Sequence, residues 1–345
     1  MGSTIRDVAS AAGVSLKTVS NVLHDHPHVR PSTRERVLQA IDDVGYRPNL
    51  SARGLRSGRT GVIGLAVPAL RENYFAELAD AVIRSAAQRG VSVLVEQTGG
   101  DREAELLAVA GTSRPHFIDG LLFNPISLGQ SDASTLDTNI PVVLLGERIF
   151  DGPTDHVTMH NVSSARAAVE HLIGIGRRRI AVVGADPDAE RAGDLSSATL
   201  RTRGYRQALE NAGLSVDPRL VRPAEHWSRA AGAAATRALL DERIAFDAVF
   251  ALNDTLGLGA IRTLSASGVS IPQDVAVIGF DNIEESQYST PSMTTVDAGR
   301  EQIADQAVAL LLDRIGPSRS TAPPQTVKPE FRIVQRESTG FSAPD

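Results

Sequence analysis

From Gly61 onward, short apolar, mostly β-branched runs alternate with stretches of helical periodicity, and that alternation admits few folds. Fully apolar runs of this length suit parallel strands covered on both faces, and the intervening helices supply the cover. Gly61-Val62-Ile63-Gly64-Leu65-Ala66-Val67 and Arg179-Ile180-Ala181-Val182-Val183-Gly184-Ala185 read as the first strands of two similar halves, each followed by a loop and a helix. Further strands are predicted at Val91–Glu96, Gly120–Phe123, Val142–Leu145, Ala248–Ala251 and Val275–Gly279. The expected body is therefore α/β, with parallel sheets in two lobes. A chain of 345 residues is long enough for that and a further small domain.

The first sixty residues read differently. Thr4 is placed to cap a helix carrying Ile5, Val8 and Ala9 on one face, with Asp7 in its first turn and Gly13 at its end. Ser15 caps a second helix, whose Val19, Val22 and Leu23 face inward while Leu16, Lys17, Ser20 and Asn21 fall elsewhere. Ser32 and Glu35 stand at capping-box spacing for a third, with Val37, Ile41 and Val44 inward and Tyr46-Arg47-Pro48 closing it. Residues 1–60 hold nine of the 35 basic and five of the 41 acidic residues, a net +4 against −10 for the remainder. A basic all-α segment with a helix-turn-helix pattern, on an acidic body, suits a module that displaces counterions from DNA.

Thr4-Ile5-Arg6-Asp7-Val8-Ala9, Ala12-Gly13-Val14-Ser15, Thr18-Val19-Ser20-Asn21-Val22-Leu23 and Tyr46-Arg47-Pro48-Asn49 resemble the headpiece of the lactose-repressor (LacI/GalR) family of bacterial transcription regulators. In the body, Asp119–Phe123, His171-Leu172-Ile173, Gly176–Ile180, Ala251-Leu252-Asn253-Asp254 and Ile278-Gly279-Phe280-Asp281 resemble the periplasmic-binding-protein-like part of the same family. The resemblance implies a headpiece over residues 1–48, a hinge over 49–60 and an effector-binding and dimerisation domain over 61–345. Its N-lobe would be about 61–161 and 292–321, and its C-lobe about 162–291 and 322–340. Helix 15–23 would lie in the major groove, with Leu16, Lys17 and Asn21 at base-reading positions and Thr4, Ser15, Thr18, Ser20, His28 and Thr33 on phosphates. Hinge residues Asn49, Ala52, Arg53, Leu55 and Arg56 would fold on DNA, with Leu55 as a minor-groove wedge and Gly54 weakening the hinge helix.

By the same resemblance a small molecule lies between the lobes, contacted by Tyr74, Phe75, Asn124, Glu147, Ser197, Arg201, Trp227, Asn253 and Asp281. Aromatic faces beside carboxylate, amide and guanidinium groups suit a sugar. Gly146 stands where several relatives carry an acidic ligand residue, and His160 where many carry Asp. The implied function is a homodimeric, allosteric repressor that binds a pseudo-palindromic operator, with an inducing sugar or a corepressing non-sugar metabolite as the alternative effectors. The C-terminal segment lacks leucine heptads, so no terminal coiled coil is expected.

Other function classes fit less well. A solute-binding receptor would need a signal peptide and no headpiece. An enzyme would need a catalytic constellation, and neither a P-loop, H-E-x-x-H nor G-x-S-x-G occurs; Gly174-Ile175-Gly176 precedes a strand instead of following one. With no cysteine, thiolate chemistry and disulfides are excluded. The alternating His24, His26 and His28 suit a DNA-facing loop better than a metal site. No cofactor, metal or membrane partner is expected, and the location would be the cytoplasm, at the nucleoid.

Overall fold

The computed structural model describes residues 3–23, 26–46, 59–111, 117–224, 226–316 and 320–340, in two compact units that divide between Gly61 and Val62. The first holds α1 (Ile5–Ala12), α2 (Leu16–Leu23) and α3 (Pro31–Asp43). At the start of α1 the Asp7 carboxylate accepts hydrogen bonds from the Thr4 N–H and hydroxyl at 2.7 and 2.8 Å. Gly13 takes φ +61°, a conformation costly for any residue with a Cβ, and turns the chain into α2. There the Ser15 hydroxyl accepts the Thr18 N–H at 3.1 Å. Val8, Ala12, Val19, Val22, Val37 and Ala40 are buried together and hold the three helices as one core.

The third helix departs from expectation at both ends. It begins two residues earlier, with Arg30 at the N-cap and Pro31 in the first turn, so Ser32 is inside the helix and caps nothing. Proline has no N–H to satisfy and its φ is preset for a helix start, which outweighs the Ser32–Glu35 spacing. The helix also ends sooner, at Asp43, because Gly45 at φ +61° returns the Tyr46 N–H to the Ile41 carbonyl.

The second unit contains, among the described residues, two six-stranded sheets. The first comprises β1 (Val62–Val67), β2 (Ser92–Gln97), β3 (Leu121–Phe123), β4 (Val142–Leu145), β5 (Asp155–Val157) and β11 (Thr326–Val327), in the order β11-β5-β4-β3-β1-β2. The second comprises β6 (Ile180–Ala185), β7 (Val221–Pro223), β8 (Ala248–Ala251), β9 (Ala276–Phe280), β10 (Thr294–Asp297) and β12 (Arg332–Val334), in the order β12-β10-β9-β8-β6-β7. Every pairing is parallel except β10 with β12. The helices are α4 (Asn73–Gln88), α5 (Arg102–Ala110), α6 (Asn161–Gly174), α7 (Pro187–Ala192), α8 (Ser197–Asn211), α9 (Arg229–Asp241), α10 (Asp254–Ala266), α11 (Glu284–Tyr288) and α12 (Arg300–Ile315).

Two crossings between the sheets fall later than the expected positions near 291 and 322. β10 still belongs to the second sheet, with Thr294 opposite Ile278, and the chain returns to the first lobe only through α12, which packs on α4, β3, β4 and β5. β11 then joins the first sheet before β12 joins the second. Strands β5, β7, β10, β11 and β12 are short and rich in polar residues, so hydropathy alone does not mark them. Helices meet closely at Gly204, where an added Cβ would lie 2.3 Å from the Val162 carbonyl oxygen; α8 thus rests directly on the backbone of α6.

Each sheet reverses its strand order beside its first strand, between β1 and β3 and between β6 and β8. Crevices outside the carboxyl ends of strands at such switch points bind ligands in open α/β sheets. The segments after β1, β3, β4, β6, β8 and β9 are therefore where a site is to be sought.

Candidate functional site

In the first unit, the inward spacing of Val19 and Val22 turns the opposite side of α2 to solvent. Ser15, Leu16 and Lys17 are exposed in sequence at its start, Leu16 to 44%, while Thr18, Ser20 and Asn21 are half-buried along it. An exposed apolar side chain beside an ammonium group and an amide is the kind of surface that can meet base edges. Thr4 and His28 are also exposed and Thr33 is half-buried. The His26 and His28 rings lie 5.5 Å apart. Asn49, Ala52, Arg53, Leu55 and Arg56 lie outside the described residues, as does His24.

In the second unit, the candidate cleft is organised around Arg201, which is 3% exposed on α8. Its Nε donates to Asn161 Oδ1 at 2.9 Å and one terminal nitrogen to the Leu252 carbonyl at 2.5 Å. The other lies 3.6 Å from Met159 Sδ and 3.4 Å from the Asp281 carboxylate. The guanidinium carbon sits 3.5 Å from the Phe280 ring centroid and 5.5 Å from that of Trp227, whose indole N–H donates to the Gly184 carbonyl at 3.0 Å. The ends of β5, β8 and β9 thus converge on one cation.

Glu147, at the end of β4, ties this cluster to the other lobe. It accepts from the Asn161 amide at 3.3 Å and from the Ser197 hydroxyl, while Arg148 reaches Asp194 at 2.6 Å. Asn124 is buried after β3, its amide beside Gly146, where a Cβ would come within 3.3 Å of Oδ1. Asn253 caps α10 through the Leu256 N–H at 2.8 Å. Tyr74 and Phe75 open α4 with their rings edge to face at 5.3 Å, and the Tyr74 hydroxyl feels the charges of Asp281, Arg201, Arg300 and Glu147. Glu147, Ser197, Arg201, Trp227 and Asp281 are therefore in one chain of contacts; Phe75, Asn124 and Asn253 flank it without a direct bond to Arg201.

Burial governs the electrostatics. It pushes Asp281 up to about 6, against the pull of Arg201 and Arg300, so the carboxylate is ionised at neutral pH. Asp254, wholly buried, is pushed up to about 8 by burial and by the Asp281 charge, although it accepts from Thr295, Ile283 and Ser286. Burial likewise raises the Tyr74 hydroxyl, which stays protonated.

Several site residues escape sequence reasoning. Asn161 links Glu147 to Arg201. Nearer the rim, Asn73 bonds Glu285, and Arg229 lies 3.3 Å from both. Glu77 holds Arg300 at 2.5 Å and accepts the Glu284 N–H at 3.0 Å. Each is polar at the start of a helix, the only signal that distinguished them. Such a cleft offers donors and acceptors from both lobes around an aromatic face.

Residues 4–49 match the family described as bacterial regulatory proteins, lacI family, and residues 169–339 match the periplasmic binding protein-like domain. The chain is 35% identical to the HTH-type transcriptional regulator CelR of Thermobifida fusca, over 97% of this chain and 98% of that one. A structure of a CelR–cellobiose complex superposes with a TM-score of 0.70 at 32% identity, covering 97% of this chain and 99% of that one. The lac repressor dimer bound to operator and the anti-inducer ONPF gives a TM-score of 0.82 at 28% identity, covering 98% and 99%.

Proposed function

The chain belongs to the LacI family of bacterial regulatory proteins and is a DNA-binding transcriptional regulator, and we propose that it acts as a homodimeric repressor released from its operator by a small sugar held between its lobes. The observation that carries the sugar reading is the Arg201 cluster: a buried guanidinium flanked by Asp281, Asn161 and Glu147, with the Trp227 face alongside. Sugar hydroxyls need such paired donors and acceptors, and the ring's C–H face needs an aromatic surface. The relative captured with cellobiose makes that disaccharide the first candidate.

In this reading Leu16, Lys17 and Asn21 contact bases, Thr4, Ser15, Thr18, Ser20, His28 and Thr33 contact phosphates, and the hinge residues Asn49, Ala52, Arg53, Leu55 and Arg56 engage the minor groove. Tyr74, Phe75, Asn124, Ser197 and Asn253 complete the sugar site. The effector acts only through its unequal affinity for the two states of the protein, so its bonds to Glu147 and Arg201 must differ between them. The test is fluorescence anisotropy on a labelled pseudo-palindrome from beside the protein's own gene, titrated with cellobiose and a panel of other mono- and disaccharides. Release by one sugar is the expected result. Tightening would make the ligand a corepressor, and indifference to every sugar would refute the reading.

A further inference from the structure

Glu147 and Arg148 reach across to the other lobe from one short loop, so whatever fixes that loop sets the cleft. Gly146, immediately before them, has φ +89° and is clamped on both sides. Its N–H donates to the Val157 carbonyl at 3.3 Å, and its own carbonyl oxygen lies 2.6 Å from His156 Nε2. His156, on β5, is only 3% exposed. A carbonyl can only accept, so Nε2 carries the proton and Nδ1 is the bare acceptor. That Nδ1 is buried and has no hydrogen-bond partner among the described residues.

Thr154, His156 and Thr158 follow at two-residue spacing through β5 and its two flanking residues, and each has a buried side-chain atom lacking a partner among the described residues. Asp155 and Val157, between them, bond Arg314 on α12 and join the main core. Successive side chains of a strand point to opposite faces, so His156 faces away from Asp155 and Val157. An imidazole kept in such a place at the expense of an unpaired acceptor is costly unless its other nitrogen does something no apolar residue could. The far end of the loop has its own anchor, since Gln130 bonds both the N–H and the carbonyl of Phe150 at 2.8 Å. At the Glu147 end the anchors are the bonds of Gly146 to Val157 and His156.

We propose that His156 is a positioning residue of the cleft: its Nε2–H holds the Gly146 carbonyl and so aims Glu147 and Arg148 at the opposite lobe. Phe150, edge to face at 5.2 Å, packs on the imidazole, and Lys328 lies over the far ring at 5.8 Å from its centroid. Burial holds the imidazole below its ordinary value, which keeps it neutral and the tautomer fixed. The bearing of this device on a sugar rests on the effector reading given above.

Two substitutions in the full chain separate the hydrogen bond from the packing. His156→Gln keeps an N–H donor at nearly the position of Nε2, whereas His156→Met keeps the volume and loses the donor. Circular dichroism verifies the fold of each. Hydrogen exchange of the 146–150 amides, without any ligand, is expected to quicken at least tenfold in H156M and to stay near the unsubstituted rate in H156Q. Effector affinity, read with the sugar that moves operator binding, is expected to weaken at least tenfold in H156M and to be restored in H156Q. Unchanged exchange in H156M, or a Gln variant as impaired as the Met one, would overturn the role. If no sugar moves the unsubstituted protein the effector reading fails, and the exchange comparison still decides what His156 does.

Discussion

Replacing Arg201 by methionine tests the logic of the cleft, because it removes the cation and keeps most of the stem. The guanidinium donates to Asn161 and Leu252 at 2.9 and 2.5 Å and faces Asp281 at 3.4 Å, all three out of water. Breaking one side of a buried pair costs about 3–5 kcal/mol, since the partner charge stays behind unpaired. Methionine packing on Phe280 and Trp227 recovers part of this, so about 3 kcal/mol is expected at pH 8. The pH dependence has a definite sign. Asp281 already lies at about 6, above its ordinary value, so its contribution is greatest at low pH and is lost as pH rises through the folded value. Without Arg201 that value climbs further, so the cost of the substitution should grow between pH 5 and pH 8 and shrink once Asp281 takes up a proton. Asp254 is raised in part by the Asp281 charge, so the two carboxyls titrate together and the difference reads the pair. Urea unfolding followed by fluorescence of Trp227, the only tryptophan, reports this unit directly. A cost under about 1 kcal/mol at pH 8, or an equal cost in the Asp281→Asn background, would refute the argument.

Gly204→Ala should destabilise the body by about 1–3 kcal/mol in the same unfolding assay, because the new Cβ meets the Val162 carbonyl at 2.3 Å and only a helix shift relieves it. Lys17→Met should cost about 1–3 kcal/mol on operator DNA and little on random duplex, with the salt dependence nearly unchanged; a slope lower by about one would reassign Lys17 to a phosphate. Leu55→Ala should weaken operator binding more than nonspecific binding, and equal losses in anisotropy titrations on the two DNAs would reject a wedge.

The sequence discloses the parts of this molecule whose physics is local. Gly13 and Ser15 can be read because a left-handed turn and an N-cap each need particular residues at particular places, and both form. β1, β4, β6 and β8 can be read because a strand buried on both faces must be apolar throughout. Ser32 misleads because two local signals compete and Pro31 prevails. β5 and β10 stay hidden because Asp155, His156, Thr294 and Thr295 are buried by pairing with strands and helices distant in sequence. Asn161 is hidden for the same reason: an asparagine opening a helix reads as a cap until Glu147 and Arg201 arrive on either side.

Those concealed residues also bear on selectivity. Arg201, Asn161, Glu147 and Ser197 already satisfy one another, so a ligand entering the cleft gains only where its own groups replace these bonds with equal or better ones. The net gain per exchanged hydrogen bond is small, about 1 kcal/mol, while a group displaced and left unpaired in this dry site costs more than that. A hydroxyl in the wrong place is therefore penalised more heavily than a correct one is rewarded. If the effector is a sugar, discrimination among stereoisomers would follow from the completeness of the cleft's own network, and loosening that network at Asn161 should broaden the range of sugars bound before it abolishes binding.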